Sequence, residues 1–304
     1  MHKRTRTGVL AGLATEVLYG GSFAFTKSVT GTIDPLTLLG WRFVVALAAL
    51  LVLLATRLIR LRITRATIRP LLLLAVFQPV LYYVAETFGV MRTTASESGL
   101  IVAAIPVVII VTAALILKSR PSGWQVAGIA VTLAGVVTTV VAGGFTARFD
   151  LAGYGLLLAA VVSFSLYAAF AERYAHAVSD VDKTFTMVLL GAVVFGTAAV
   201  IEHGADGTLG TLVRLPVDRP DFALAVAYLA LGSTVGAFFL QNVAIGALGS
   251  TRFSTFIGVT TVTTLVTGAI VLRETLSAAQ FLGGAAILAG VSVANRRAAT
   301  TACP

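Results

Sequence analysis

Residues 117–136 read LKSRPSGWQVAGIAVTLAGV, and residues 272–291 read LRETLSAAQFLGGAAILAGV. Set 155 positions apart, 9 of the 20 pairs are identical, among them Ser122/Ser277, Gln125/Gln280, Gly128/Gly283 and Gly135/Gly290. A segment repeated within an apolar chain points to two related halves. Such halves can rock about a shared site at the bilayer midplane. The division falls near 143–150, giving units 1–147 and 148–304.

The whole chain reads as a membrane protein. Of its 304 residues 58% are hydrophobic and 12% charged, with a mean hydropathy of +0.96. A soluble domain has too little interior to hide that much apolar surface. The net charge of +9 sits between apolar runs rather than on a basic patch, so topology explains it and no nucleic-acid partner is expected. Cys303 is the single cysteine, and His2, His176 and His203 all lie outside the apolar runs. No disulfide, metal site or cofactor is therefore expected, and an intramembrane hydrolase would lack a His base.

About 20 apolar residues cross a hydrocarbon core. Ten segments meet that length, at 8–27, 36–56, 70–91, 97–117, 122–141, 151–172, 183–201, 221–245, 251–272 and 277–295. The fold class expected is an all-α integral membrane protein: ten transmembrane helices as two inverted five-helix repeats around a central cavity. An odd number of spans per half inverts the second half relative to the first. The first segment follows Lys3, Arg4 and Arg6 and is read as a spanning helix rather than a cleaved signal. With the N-terminus inside, the inner loops collect 15 Lys and Arg and the outer loops 7. That bias puts both termini in the cytoplasm of a cell whose inner membrane holds the chain.

Glu16 and Glu86 are the carboxylates inside spanning segments. An ionised group at the bilayer centre costs about 3 kcal/mol or more, so each is a candidate for substrate binding and proton coupling. The bland alternative is a neutralised carboxyl or a clasp between helices. In segment 3, Gln78, Tyr82 and Glu86 recur every four residues and are expected on one face, with Tyr83 at its edge and Pro79 inviting a kink. The offset maps Gln78 onto Ser233, Tyr83 onto Phe238 and Glu86 onto Gln241. Segment 8 thus carries a related stripe: Ser233 or Thr234, Phe238, Gln241 and Asn242. Phe23, Tyr82, Tyr83, Tyr167 and Phe238 are candidates for an aromatic wall facing a flat or cationic substrate. The threonines of segment 9 are expected mostly to bond back to their own helix. Thr261 falls opposite Pro106, and either could mark an irregular helix. Arg42, near the outer end of segment 2, could attract an anion, but snorkelling to the interface or pairing with Asp34 or Glu97 is the favoured reading. Asp180 and Asp182 resemble a metal pair, but capping of the following helix by Ser179, Asp180 or Asp182 is the favoured reading. Ser122/Gln125 and Ser277/Gln280 fit capping boxes. The Gly128/Gly135 and Gly283/Gly290 spacing suits close helix packing, within a protomer or in a homodimer.

These motifs resemble the EamA family of the drug/metabolite transporter superfamily, over nearly the whole chain. Tyr19-Gly20-Gly21-Ser22-Phe23 followed by Lys27 is similar to the family's opening motif. Trp41-Arg42-Phe43 is similar to its Arg-Phe motif, and Ile105-Pro106-Val107-Val108 to its Pro-Val segment. Arg273-Glu274-Thr275-Leu276-Ser277-Ala278-Ala279-Gln280, with Gly283 and Ala289-Gly290-Val291, is similar to the family's most recognisable stretch. Ser119 at the position equivalent to Glu274 is a departure. The resemblance implies ten helices and a cavity lined mainly by helices 1, 3, 4, 6, 8 and 9, which adds Ser22 to the candidate substrate-binding residues. It also implies export of amino acids, metabolites or organic cations, with some members importing. Glu16 with Lys27 is also similar to the Glu and Lys of the small multidrug-resistance proteins, at a longer spacing. The expectation is a secondary transporter for amino acids or amphipathic amines, an exporter by alternating access with protons as candidate coupling ion. A gradient-driven uniporter and a non-transporting receptor are the alternatives.

Overall fold

In a computed structural model the apolar segments are helices, the form in which every backbone N–H and C=O finds a partner without water. The structure describes residues 2–116, 122–143, 150–274 and 277–295. Cys303, Ser119, most of the junction between the halves and the Gln125 side chain lie outside that description.

The helices are α1 (His2–Thr30), α2 (Pro35–Ala55), α3 (Arg65–Arg92), α4 (Ala95–Ile116), α5 (Gly123–Gly143) and α6 (Leu151–Arg173). After them come α7 (Asp180–Ala205), α8 (Leu209–Asp218), α9 (Pro220–Leu248), α10 (Ser250–Val271) and α11 (Ala278–Asn295). The described residues hold no strand. Eight of these helices are long and apolar enough to cross a membrane; α5 and α11 contribute shorter apolar stretches, at Val126–Thr138 and Ala278–Val293. Segments 8, 9 and 10 of the sequence correspond to α9, α10 and α11. The polar gap before segment 8 holds a helix of its own, α8, with Leu212 buried and Val213 and Val217 exposed. Trp41 Nε1 donates to the Leu212 carbonyl at 3.1 Å and ties α8 to α2.

Helix starts follow local chemistry. Asp34 caps α2, accepting from Leu36 N–H at 2.7 Å, with Pro35 at the first helical position where a missing N–H is harmless. Ser179 caps α7 by accepting from Asp182 N–H at 3.1 Å, which settles the Asp180/Asp182 pair as helix-start chemistry. Asp182 also accepts from Arg62 N–H at 2.8 Å, fastening the loop after α2. Ser277 and Gln280 form the expected reciprocal box, at 2.9 and 3.2 Å.

Packing pairs helices from the two halves. α1 lies on α9 and α10, α6 on α3 and α4, α2 on α7, and α5 on α11. Exchanging each helix for its sequence equivalent returns the same set of pairs. The α5–α11 contact carries the repeated stretch, and its detail gives a direction. Gly135 packs on Gly283 and Ile287, whereas Gly290 packs on Gly128 and Thr132. Ascending α5 therefore means descending α11, so the two equivalent helices run antiparallel. Residue i meeting j′ while j meets i′ is the signature of a local two-fold axis.

Breaks in the helices also recur. Gln78 leaves helical geometry (φ −137°, ψ 115°) inside a π-helical turn at Val76–Leu81, next to Pro79. A second π-helical turn spans Tyr228–Gly236 in α9, and the offset carries 76–81 onto 231–236. In α4 the helix gives way to a turn at 103–104, just ahead of Pro106. In α10 the irregular turn is Ser254–Phe256 rather than Thr261.

The loop-side ends of α4 and α10 share one clasp. Glu274 accepts from the Ala95 and Ser96 N–H groups at 2.8 Å each, at the start of α4. Ser250, the equivalent of Ala95, donates its N–H to Glu172 at 2.9 Å at the start of α10. The second clasp is thus supplied from α6. Glu274→Ala orphans two N–H groups at a helix N-terminus. It should cost about 2 kcal/mol, measured as a lower melting temperature in detergent. Glu172→Ala should behave alike, and an unchanged melt in both would refute the clasp.

Candidate functional site

The functional candidates converge on the core between α1, α3, α6 and α9. Tyr19 of α1 donates its hydroxyl to Gln241 Oε1 at 2.6 Å, and Gln241 Nε2 donates to Gln78 Oε1 at 3.0 Å. Gln78 Nε2 closes the ring on the Tyr19 hydroxyl at 3.4 Å. Beside it, Tyr167 of α6 donates to Asn242 Oδ1 at 2.7 Å. Asn242 Nδ2 donates to the Phe238 carbonyl at 2.9 Å and to Thr184 Oγ1 at 3.4 Å. Gln78, Tyr167, Gln241 and Asn242 are completely buried. Five helices, α7 included through Thr184, therefore meet through polar side chains where lipid-facing sequence would be apolar. The broken backbone at Gln78 frees its side chain to cross from α3 to α9.

A second cluster surrounds Arg42. Its Nε donates to Thr234 Oγ1 at 2.7 Å, and Nη2 donates to the Tyr83 hydroxyl and Ser233 Oγ at 2.9 Å each. The guanidinium lies 4.1 Å from the Tyr83 ring centroid. Arg42 is 1% exposed. This corrects the expectation from sequence: Arg42 neither snorkels nor pairs with Asp34 or Glu97. Asp34 is occupied as a cap, and Glu97 accepts from Tyr154 at 2.9 Å and Gln280 at 2.7 Å.

The carboxylates occupy separate places. Glu86 is buried in α3, accepts from Thr87 Oγ1 at 3.2 Å, and feels the charge of Arg42 without an ion pair within 4.0 Å. Glu16 is buried between α1 and α10. Thr260 donates to its carboxylate and, at 2.9 Å, to its main-chain carbonyl. Glu16 Oε1 has no hydrogen-bond partner.

The expected single face of Gln78, Tyr82 and Glu86 is not what forms. The break at Gln78 interrupts the four-residue period: Gln78 joins the Tyr19–Gln241 ring, while Glu86 bonds Thr87. Tyr83, expected at the edge, is central: its ring lies 5.5 Å from Phe43 and 5.9 Å from Phe238. Tyr82 packs edge-on against Tyr83 at 5.0 Å, and Phe164 lies 5.8 Å from it. Phe23 is core, and Ser22 donates back to the Tyr19 carbonyl at 2.7 Å. The threonines of α10 divide. Thr255 and Thr267 bond their own helix, but Thr260 and Thr264 reach the α1 backbone. Lys27 holds the end of α3 through the carbonyls of Val90 and Met91 at 3.0 Å and that of Thr93. An apolar groove between α2, α7 and α8, lined by Gly40, Val44, Gly196, Ala199, Leu212 and Val213, lies apart from the polar core.

Tyr19 and Thr184 are residues of these clusters that the candidate set from sequence left out, Thr234 was named there only as an alternative to Ser233, and Arg42 was read as a boundary residue. Arg42 lies seven residues beyond Pro35, which at 1.5 Å per residue is about 10 Å inside α2. That depth was a usable signal against snorkelling.

Known proteins agree with the fold. The model of the EamA-like transporter family matches twice, over residues 6–141 and 151–296. The uncharacterized transporter YcxC of Bacillus subtilis strain 168 is 32% identical over 97% of this chain and 94% of its own. A probable amino-acid metabolite efflux pump of Escherichia coli K12 is 24% identical over 95% and 94%. A probable terminal-alkyne amino-acid exporter of Streptantibioticus cattleyicolor is 28% identical over 71% and 69%. One solved crystal structure superposes with a TM-score of 0.64 over 96% of this chain and 99% of that one, at 21% identity. The chain is a multi-pass helical membrane protein that belongs to the EamA-like transporter family.

Proposed function

We propose that this transporter exports small metabolites, amino acids or amphipathic amines, across the inner membrane by alternating access. Two inverted five-helix units, 1–147 and 148–304, tilt about a cavity that opens at the Tyr19–Gln78–Gln241 ring. The observation that carries this reading is the ring itself. It joins α1 and α3 of one half to α9 of the other, with Gln78 at the break in α3, and its buried amides exchange partners at low cost when a polar solute enters. Buried amides can also serve as interhelical glue worth roughly 0.6 kcal/mol per bond, so flux is the deciding measurement. The antiparallel α5–α11 pair supports the inverted arrangement, and the amino-acid exporter names among relatives support the substrate range. Glu16 and Glu86 are the groups through which protons would couple to transport, with both termini cytoplasmic.

The test is tracer flux in proteoliposomes against a panel of amino acids and organic amines. Substrate-dependent flux is expected, and Gln78→Leu and Gln241→Leu should each lower it by about tenfold, equivalent to about 1.4 kcal/mol, while the protein still reconstitutes. Flux without response to a pH gradient would favour a uniporter. Binding without flux would favour a receptor.

A further inference from the structure

We propose that Arg42, with Glu86, forms a zwitterion site in which Arg42 takes the carboxylate of an α-amino acid. This rests on the transport reading above and narrows its substrate class. A guanidinium carries five donors. Three of Arg42's are taken, all by neutral hydroxyls: Thr234, Tyr83 and Ser233. The two on Nη1 have no partner among the described residues, and no carboxylate lies within 4.0 Å. A buried charge without a counter-ion is costly.

The same chain shows the contrasting solution. Lys183, also 1% exposed, is satisfied directly by Asp180 at 3.0 Å. Arg42 is held in place by hydroxyls and by the Tyr83 face, which fix the plane of the guanidinium while leaving its charge unneutralised. Glu86 is the complementary case: a buried carboxylate whose hydrogen-bond partner is one hydroxyl, Thr87 at 3.2 Å, and whose Oε1 has none among the described residues. Glu86 lies one helical turn beyond Tyr83, so the two groups project to one side of α3. A cation and an anion, held apart in one core and both short of partners, match the ends of an amino acid. The two N–H groups of Nη1 can donate to a carboxylate, and Glu86 suits the ammonium.

The experiment uses the purified full chain in detergent. Each of the twenty proteinogenic amino acids is tested beside its decarboxylated amine, by thermal stabilisation and tracer competition. At least one amino acid should bind ten or more times tighter than its amine. Arg42→Gln should abolish that preference, and Arg42→Lys should restore part of it at lower affinity. A merely structural Arg42 would weaken acid and amine alike and leave the preference intact. The proposal is overturned if wild type binds acid and amine equally, if folded Arg42→Gln keeps the preference, if Arg42→Lys weakens both without bias, or if no amino acid binds. Flux in proteoliposomes is read separately. Carboxylate-dependent binding with no flux would sink the transport reading and leave the site standing, whereas flux indifferent to the carboxylate would do the reverse.

Discussion

Gly290→Ala is expected to destabilise the protein by about 1–3 kcal/mol, although alanine is the better helix former. In an exposed helix the same change would gain about 0.5–1 kcal/mol. Here a Cβ at position 290 would sit 2.5 Å from the Thr132 nitrogen and 2.7 Å from the Gly128 carbonyl oxygen. Both obstacles are backbone, so no side-chain rotation relieves them and α5 and α11 must part. Gly135→Ala meets the mirror obstacle, the Gly283 carbonyl oxygen and Ile287 nitrogen, both at 2.7 Å. The two variants should lower the melting temperature by similar amounts, and Gly290→Leu should abolish recovery of monodisperse protein. Without a hydrophobic drive between helices in lipid, close backbone approach is itself the source of their affinity. A raised melting temperature in either alanine variant would mean that these helices do not touch at the glycines.

Much of this architecture can be read from the chain because lipid imposes one rule on every segment. A helix must be about 20 apolar residues long; eight of the ten expected segments coincide with helices that meet that length, and the other two with shorter apolar stretches among the described residues. Pro79 marked the break in α3, but neither the pairing of the helices nor the break in α9 was read from the sequence. What escaped the sequence is what depends on a break. Once Gln78 leaves helical geometry, positions 78 and 86 no longer share a face, and periodicity alone cannot say which way each turns. Arg42 was misread for a different reason. Snorkelling is the ordinary fate of an Arg near a membrane boundary, and only the three-dimensional meeting of Tyr83, Ser233 and Thr234 makes a deeper place for it. The helix between 209 and 218 was hidden by its polar composition, since one buried leucine is enough to seat it.

Glu16→Gln is expected to uncouple transport from protons while leaving the fold intact. Gln is isosteric with Glu, and its side-chain oxygen can still accept from Thr260, so the α1–α10 contact persists and the melting temperature should hold. What disappears is a site that changes charge. The Glu16 carboxylate, with Oε1 unpartnered and Thr260 on the other oxygen, sits where α1 of one half meets α10 of the other. On the proposed mechanism, gain or loss of a proton there would change the electrostatic cost of closing that seam and so couple the proton gradient to the tilt of the halves. In proteoliposomes, wild type should accumulate substrate against its gradient when the pH difference is imposed. Glu16→Gln should lose at least tenfold of that driven flux yet keep downhill exchange. Glu86→Gln separates the alternatives: as a binding group it should weaken substrate affinity at every pH, whereas as the coupling group it would reproduce the Glu16 phenotype. If both variants transport like wild type across pH, neither carboxylate couples protons, and movement down the substrate's own gradient is left as the driving force.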